Sequence, residues 1–234
     1  MSSSSSTCAL CPFRLSERAC RKPEGKGPEN CPTSRQSSVR ASLDEALKDP
    51  HIFEFARQAS LQESSAYADR DRGYDLVRGI KPRIAETMEF AVRMNYSRLG
   101  LVFCMGLHKE AAIVHRILDK HGFEVVSVIC KVGRVPKAEL ELGRKDQVDM
   151  QAEMEPMCNP IAQAAIVNQQ KTDFNILLGL CVGHDSLFMK QAEAMCTVLA
   201  VKDRLLGHNP LAAIYTYDSY SRYLKDPGLL KKDE

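Results

Sequence analysis

The first 31 residues contain four cysteines in a C-x2-C-x8-C-x10-C arrangement, formed by Cys8, Cys11, Cys20 and Cys31. A C-x2-C turn lets two thiolates face one ion, and two later thiolates complete the tetrahedron that Zn²⁺ or an iron–sulfur cluster requires. Few apolar side chains surround them, so the metal would supply the folding free energy. The spacing predicts a metal-binding knuckle over residues 1–40. The alternative is four unligated thiols in a disordered tail.

Four further cysteines are placed by the predicted strands. Cys104, Cys130 and Cys181 each end an apolar run, and Cys158 stands just before a predicted helix. In an open parallel sheet, the carboxyl ends of the strands line the crevice where ligands bind. We therefore expect these four sulfurs to converge on a second thiolate site that binds a cofactor. The alternative is that strand-end cysteines are small buried hydrophobic residues.

Candidate catalytic groups lie near the same edge. Cys158, at a helix N-terminus that lowers a thiol pKa, and Cys181 are candidate nucleophiles or ligands. His184 is a candidate ligand or proton carrier. Asp185 would either orient His184 or cap the following helix.

The elements that position these residues follow an alternating pattern from residue 99 onwards. Short apolar runs alternate with amphipathic segments, which is typical of a parallel sheet buried on both faces. The pattern predicts an α/β fold, a Rossmann-like parallel sheet of four or five strands with flanking helices, over residues 99–234. A helical lead-in over 41–98, with helical spacing from Ser42, precedes it, and a polar insertion loop at 131–157 interrupts it. The predicted strands are 99–103, 125–129, 174–180 and 196–201, the predicted helices are 82–96, 109–121, 161–170 and 186–194, and Cys196 falls in the core.

Composition excludes several classes of protein. The 234 residues carry 32 Lys and Arg against 30 Asp and Glu, a balance that does not favour a nucleic acid partner. No secretory signal and no apolar run of transmembrane length occur, so we expect a cytoplasmic protein without a membrane partner. An odd set of nine cysteines in that reducing compartment argues against a disulfide framework. Dinucleotide, P-loop and zinc-protease motifs do not occur.

Three strings, together with the C-x2-C leader, resemble an uncharacterised cysteine-rich family of bacteria and archaea, a domain of unknown function. They are the segments 158–164 (CNPIAQA), 179–185 (GLCVGHD) and 201–211 (VKDRLLGHNPL). The resemblance implies bound metal, and the family's occurrence in anaerobes favours an iron–sulfur cluster over zinc. It implies no particular reaction.

These observations predict a metal-binding protein, with zinc or an iron–sulfur cluster in the knuckle and a thiolate site at the sheet that is redox-active or handles sulfur. One alternative is a thiol- or metal-dependent enzyme acting on a small polar substrate. Another is a module that binds a small-molecule ligand, with a structural zinc. The expected partners are the metal or cluster, a small-molecule ligand and a redox partner.

Overall fold

The computed structural model describes residues 5–34 and 37–230. The chain forms two compact units, of which the first ends at Ser65 and the second begins at Ala66. In the first unit, short 3-10 turns at Cys8–Leu10 and Leu15–Glu17 and a bridge between Arg18 and Lys26 organise the cysteine-rich segment. No residue from 5 to 34 is buried, so apolar packing contributes little to holding this segment together.

Two helices complete the first unit, α1 (Ser37–Ala46) and α2 (Pro50–Ser65). The Asp49 carboxylate accepts a hydrogen bond from the N–H of His51 at 2.8 Å, and Pro50 occupies the first helical position. The residues with helical spacing predicted from Ser42 are therefore divided between two helices. α1 begins five residues before Ser42, and Pro50 begins α2.

The second unit contains an α/β sandwich, as the alternating pattern predicted. A two-stranded antiparallel pair and one helix come first. Seven elements of alternating type and a last short helix follow. The pair is β1 (Tyr67–Ala68) and β2 (Arg78–Gly79), followed by α3 (Arg83–Arg93), β3 (Arg98–Phe103), α4 (His108–Lys120), β4 (Glu124–Ile129), α5 (Pro160–Gln169), β5 (Phe174–Leu180), α6 (His184–Gln191), β6 (Cys196–Val201) and α7 (Leu211–Tyr215). The strands predicted at 174–180 and 196–201 have the observed bounds, and the other two begin one residue earlier. The β1–β2 pair was not predicted, because two-residue strands carry no periodic signal.

The main sheet has four parallel strands in the order β4-β3-β5-β6. In register, Leu101 of β3 lies opposite Ser127 of β4 and Ile176 of β5. The chain leaves β3 towards β4 on one side and returns to β5 on the other, so the direction of winding reverses beside β3. Such a switch point opens a crevice at the carboxyl ends of the two central strands.

Helices cover both faces of this sheet. On one face, Val102, Val128 and Leu177 pack with Val167 of α5 and Phe188 of α6 in one buried cluster. On the other face, Phe90 of α3 contacts Phe174 of β5, with ring centroids 5.5 Å apart, and α4 packs on β3 and β4. Burial on both faces explains why β3 and β5 are almost continuously apolar.

The Glu155 carboxylate anchors the segment from 131 to 157 through ion pairs and hydrogen bonds. Glu155 lies 3.0 Å from the ammonium of Lys137 and 3.8 Å from that of Lys131, and it accepts a hydrogen bond from the N–H of Val148 at 2.6 Å. A backbone bridge pairs Pro136 with Pro156.

Among the helices of residues 5–34 and 37–230, none is both long and apolar enough to cross a membrane.

Candidate functional site

Three of the strand-associated cysteines meet at the carboxyl edge of the sheet. Cys104 follows β3, Cys130 follows β4, and Cys158 immediately precedes Asn159, the N-cap of α5. The sulfur of Cys130 lies 3.8 Å from the sulfur of Cys158 and accepts a hydrogen bond from the N–H of Met105 at 3.2 Å. The N–H of Asn159 donates to the carbonyl of Cys130 at 2.7 Å, which fixes the start of α5 against the end of β4.

The Cys130 thiol is hydrogen-bonded to both Cys104 and Cys158 and shifts the pKa of each. Its hydrogen bond to Cys104, aided by the Gly106 N–H and the Lys202 ammonium, outweighs burial and lowers the pKa of Cys104 to about 5. Its hydrogen bond to Cys158, aided by Lys131 and His184, outweighs burial and lowers the pKa of Cys158 to about 6. The pKa of Cys130 itself is raised, because two thiolates accept its proton and it is only 3% exposed. These contacts favour the thiolate forms of Cys104 and Cys158 and the protonated form of Cys130.

Two cations from the loop after β6 lie against strand-end sulfurs, one at Cys104 of the cluster and the other at Cys181. The Lys202 ammonium is hydrogen-bonded to Cys104, and the Arg204 guanidinium donates to the sulfur of Cys181 at 3.0 Å. Within the described residues, neither Lys202 nor Arg204 has a carboxylate within 4.0 Å. Lys131, by contrast, donates to the carbonyl of Pro156 at 2.5 Å and faces Glu155. The edge of the sheet thus combines thiolates with cations that carboxylates do not neutralise.

Cys181 and His184 occupy the neighbouring loop after β5. No hydrogen bond joins Cys181 to the other three thiols in the described part of the chain, and its described side-chain partner is Arg204. The His184 N–H donates to the carbonyl of Cys181, and its ring Nδ1 is buried without a hydrogen-bond partner. The Asp185 carboxylate accepts from the N–H of Ser186 rather than from His184. Cys196 is partly buried in β6, and burial raises its pKa.

Two buried residues position the cluster, and both lie in strings that the sequence analysis quoted without assigning these residues a role. The Gln163 amide on α5 is fully buried and donates to the carbonyls of Val128 at 2.8 Å and Phe103 at 3.3 Å, tying together the strands that end in Cys104 and Cys130. Gly179 has φ +68° and packs so closely on Leu107 that an added Cβ would lie 2.0 Å from Leu107 Cδ1.

The four N-terminal cysteines line one cavity of about 70 Å³ in the first unit. Cys11 and Cys31 are partly buried, whereas Cys8 and Cys20 are exposed. Hydrogen bonds from the backbone N–H and hydroxyl of Ser34 lower the pKa of Cys31. Gly27 leaves room beside the same sulfur, because an added Cβ would lie 2.7 Å from it. Four thiols around one cavity, one of them with a lowered pKa, form a donor set that suits zinc or an iron–sulfur cluster.

The sulfurs are not drawn together as ligands of one ion would be. Within residues 5–34 and 37–230, no three Cys, His, Asp or Glu side chains form a group with the geometry of a metal centre. The knuckle predicted over residues 1–40 therefore stays a prediction, and so does cofactor binding by Cys104, Cys130, Cys158 and Cys181.

Comparison with known proteins places the chain in a family. The model of a family described as "Protein of unknown function (DUF1847)" matches residues 31–199. The chain belongs to the DUF1847 family. It is 48% identical over 165 residues to an uncharacterised protein of Methanocaldococcus jannaschii, an alignment that covers 70% of this chain and 81% of the relative. No solved structure matches the chain. The resemblance seen in the sequence is thereby confirmed at the level of an uncharacterised family.

The match to the DUF1847 family model includes all three clustered thiols and ends before the cations beside them. Cys104, Cys130 and Cys158 lie inside residues 31–199, whereas Lys202 and Arg204 lie beyond it. Both cations stand in the string at 201–211 that sequence analysis singled out. Their roles were missed because nothing local shows that the loop after β6 faces the ends of β3 and β5.

Proposed function

We propose that this DUF1847 protein has a redox-active thiol centre at the carboxyl edge of its sheet and a metal, zinc or an iron–sulfur cluster, held by the N-terminal cysteines. The observation that carries the first part is the contact between Cys130 and two neighbouring thiolates. An attacking thiolate, a second thiol within reach and cations beside them are what thiol–disulfide exchange requires.

The chemistry at the sheet is an exchange between the cluster and a disulfide. A thiolate of Cys104 or Cys158 attacks one sulfur of an incoming disulfide, forms a mixed disulfide and releases the other half as a thiolate. The Cys130 sulfur then attacks the protein sulfur of that mixed disulfide, and its proton passes to the second departing thiolate. The protein gains one internal disulfide, while the substrate takes up two electrons and leaves as one thiolate and one thiol.

The S–S distance and the burial of the three cysteines fit Cys104 or Cys158 as the attacking thiol and Cys130 as the resolving thiol. A disulfide bond is about 2.05 Å long, and the Cys130 and Cys158 sulfurs are 3.8 Å apart. Cys130 is buried, whereas Cys104 and Cys158 are partly exposed. Solvent therefore reaches the attacking thiols more readily than the resolving thiol.

The cavity lined by the four N-terminal cysteines supports the second part. Cys8, Cys11, Cys20 and Cys31 would hold the metal, which when bound would supply cohesion to a segment that has no buried residue. Within this segment, Arg18 donates to the carbonyl of Phe13 at 2.9 Å and Asn30 donates to the carbonyl of Ser5 at 2.6 Å. These polar contacts shape the loop around the cavity.

The redox proposal is tested by mapping disulfides after exposure to bis(2-hydroxyethyl) disulfide. Reduced protein is incubated anaerobically with the reagent, free thiols are alkylated, and the peptides are identified by mass spectrometry. We expect an internal disulfide that includes Cys130 in the wild type and in the control Cys196→Ser, whereas Cys130→Ser should stop at mixed disulfides with the reagent. A Cys130 that stays reduced would refute the proposal. So would the loss of a bound metal on Cys130→Ser, since the three thiols would then be ligands.

A further inference from the structure

The sulfur of Cys104 has open space beside it at Gly106. Gly106 follows it by two residues, and an added Cβ there would lie 3.2 Å from Lys202 Nζ and 4.0 Å from Cys104 Sγ. The missing side chain leaves space directly beside the thiolate and its ammonium. The neighbouring Met105 is 55% exposed, so this space is near the surface.

The Lys202 ammonium beside Cys104 and the Arg204 guanidinium beside Cys181 are both available to a ligand. Lys202 is partly exposed and Arg204 is exposed, and within the described chain no carboxylate lies within 4.0 Å of either. The partners that they do have, Cys104 and Cys181, are the thiols themselves. Once Cys104 enters a disulfide it loses its negative charge, and the Lys202 ammonium is left to face whatever group the new disulfide carries.

On the Cys158 side of the cluster, the nearby cation already has protein partners. There Lys131 is already engaged, by the carbonyl of Pro156 and by the Glu155 carboxylate. Glu155 also adds negative charge near that approach. An anionic molecule is therefore attracted to the side of Cys104 rather than to the side of Cys158.

We infer that the substrate class of this site is a low-molecular-weight disulfide with anionic ends, held by Lys202 and Arg204 while Cys104 attacks it and Cys130 resolves the product. The inference rests on the proposed redox function and adds the substrate charge and the order of attack. The Cys104 sulfur bonds to one sulfur of the disulfide, and the other half leaves as a thiolate. The Cys130 sulfur next bonds to Cys104 Sγ and expels the second half, which takes the proton of Cys130.

The test compares three small disulfides of similar size and different charge: 3,3′-dithiodipropionate, bis(2-hydroxyethyl) disulfide and cystamine. Rates of loss of the Cys104 thiol are measured anaerobically at neutral pH and low salt. Coulomb repulsion by the attacking thiolate alone would make the anionic reagent the slowest. We expect it instead to be the fastest, by roughly 10-fold or more over cystamine, with an advantage that shrinks as salt is added.

Variants separate the substrate class from the redox function. We expect Lys202→Gln and Arg204→Gln to reduce the ratio of the rate with 3,3′-dithiodipropionate to the rate with cystamine. The control Lys190→Gln, on α6, should leave this ratio unchanged. Because each ratio is taken on one protein, the fraction of thiolate cancels. An unchanged ratio, or a preference for cystamine in the wild type, would overturn the anionic substrate while disulfide formation at Cys130 persisted. If none of the three reagents produces a disulfide at Cys130, it is the proposed function that fails.

Trapping the intermediate tests the order of attack. Without its resolving thiol, Cys130→Ser should accumulate a mixed disulfide with 3,3′-dithiodipropionate on Cys104, detected by the mass of the modified peptide. Cys130→Ala provides a second variant without that thiol, and circular dichroism checks that both are folded. A mixed disulfide found on Cys158 instead would overturn the assignment of Cys104 as the attacking residue.

Discussion

At the scale of single residues, the proton of the buried Cys130 thiol is the main influence on the pKa values of Cys104 and Cys158. Cys130 keeps its proton because it is buried and because two thiolates accept from it. The hydrogen bonds from Cys130 are the largest cause of the lowered pKa values of Cys104, about 5, and Cys158, about 6. Three adjacent sulfurs could not all be ionised without severe repulsion, so a division into two thiolates and one thiol is the arrangement that this site stabilises.

Removing that proton donor should make both thiolates harder to form. In the wild type, alkylation of Cys104 and Cys158 by iodoacetamide should reach half its maximal rate near pH 5 and pH 6. In Cys130→Ala, loss of the hydrogen bond favours the protonated thiols, so both midpoints should rise towards the ordinary thiol value of about 8.5. Alkylation at pH 7 should then fall by about 10-fold or more.

This change is measured peptide by peptide with mass spectrometry across pH 4 to 9. Cys196 provides the internal control, because burial raises its pKa and it has no hydrogen bond to Cys130 in the described structure. If the midpoints of Cys104 and Cys158 stay where they are in Cys130→Ala, another group ionises them.

At the scale of elements, an irregularity in β5 makes room for the turn that carries Cys104. The pairing of β5 with β6 shifts on both sides of Leu178, and Gly179 follows with φ +68°. Leu107, in the turn after Cys104, packs onto the space that a side chain at 179 would fill. The glycine beside this irregularity thus allows the turn after Cys104 to pack closely onto β5.

Gly179→Ala should therefore destabilise the protein and disturb the thiol cluster. The positive φ and the clash with Leu107 together should lower the free energy of unfolding by roughly 2 to 5 kcal/mol. Gly122→Ala is the matched control, since Gly122 has φ +87° but nothing within 4 Å of an added Cβ, and it should cost only about 1 kcal/mol. Urea unfolding measures both variants, and equal losses would show that contact with Leu107 is unimportant.

At the scale of the whole molecule, a nearly neutral chain contains two thiol sites of different construction. The formal net charge is +2, yet Lys202 and Arg204 bring positive charge to one edge of the sheet. The sheet site rests on a buried core, whereas none of the residues around the N-terminal cavity is buried. We therefore expect the N-terminal site to depend on its metal much more than the sheet site does on any ligand.

Metal analysis of anaerobically purified protein tests this expectation. About one zinc ion or one iron–sulfur cluster per chain should be present, and the visible spectrum distinguishes them because zinc thiolates are colourless. Cys11→Ser and Cys31→Ser should lose the metal and make residues 5–34 sensitive to protease, whereas Cys196→Ser should do neither. Protein with no zinc or iron, or with unchanged metal in both variants, would disprove the N-terminal metal site.

Much of the fold could be predicted from the sequence because it depends on local patterns. Buried parallel strands are continuous apolar runs, and their ends are marked by polar residues and glycines, so β5 and β6 were predicted with their observed bounds. The break between α1 and α2 was missed, since the apolar spacing continues through Asp49 and Pro50. The placement of Cys104, Cys130 and Cys158 at one edge followed from these elements.

The sequence by itself determined which cysteines end strands, because hydrophobic periodicity records burial residue by residue. Only the tertiary structure decided which of them meet. The order β4-β3-β5-β6 brings the loop after β6 beside the central strands, where Arg204 engages Cys181 and Lys202 reaches Cys104. Such pairings arise between residues about 23 to 100 positions apart, and no local pattern encodes them, because strand order and side-chain direction are settled only when the layers pack.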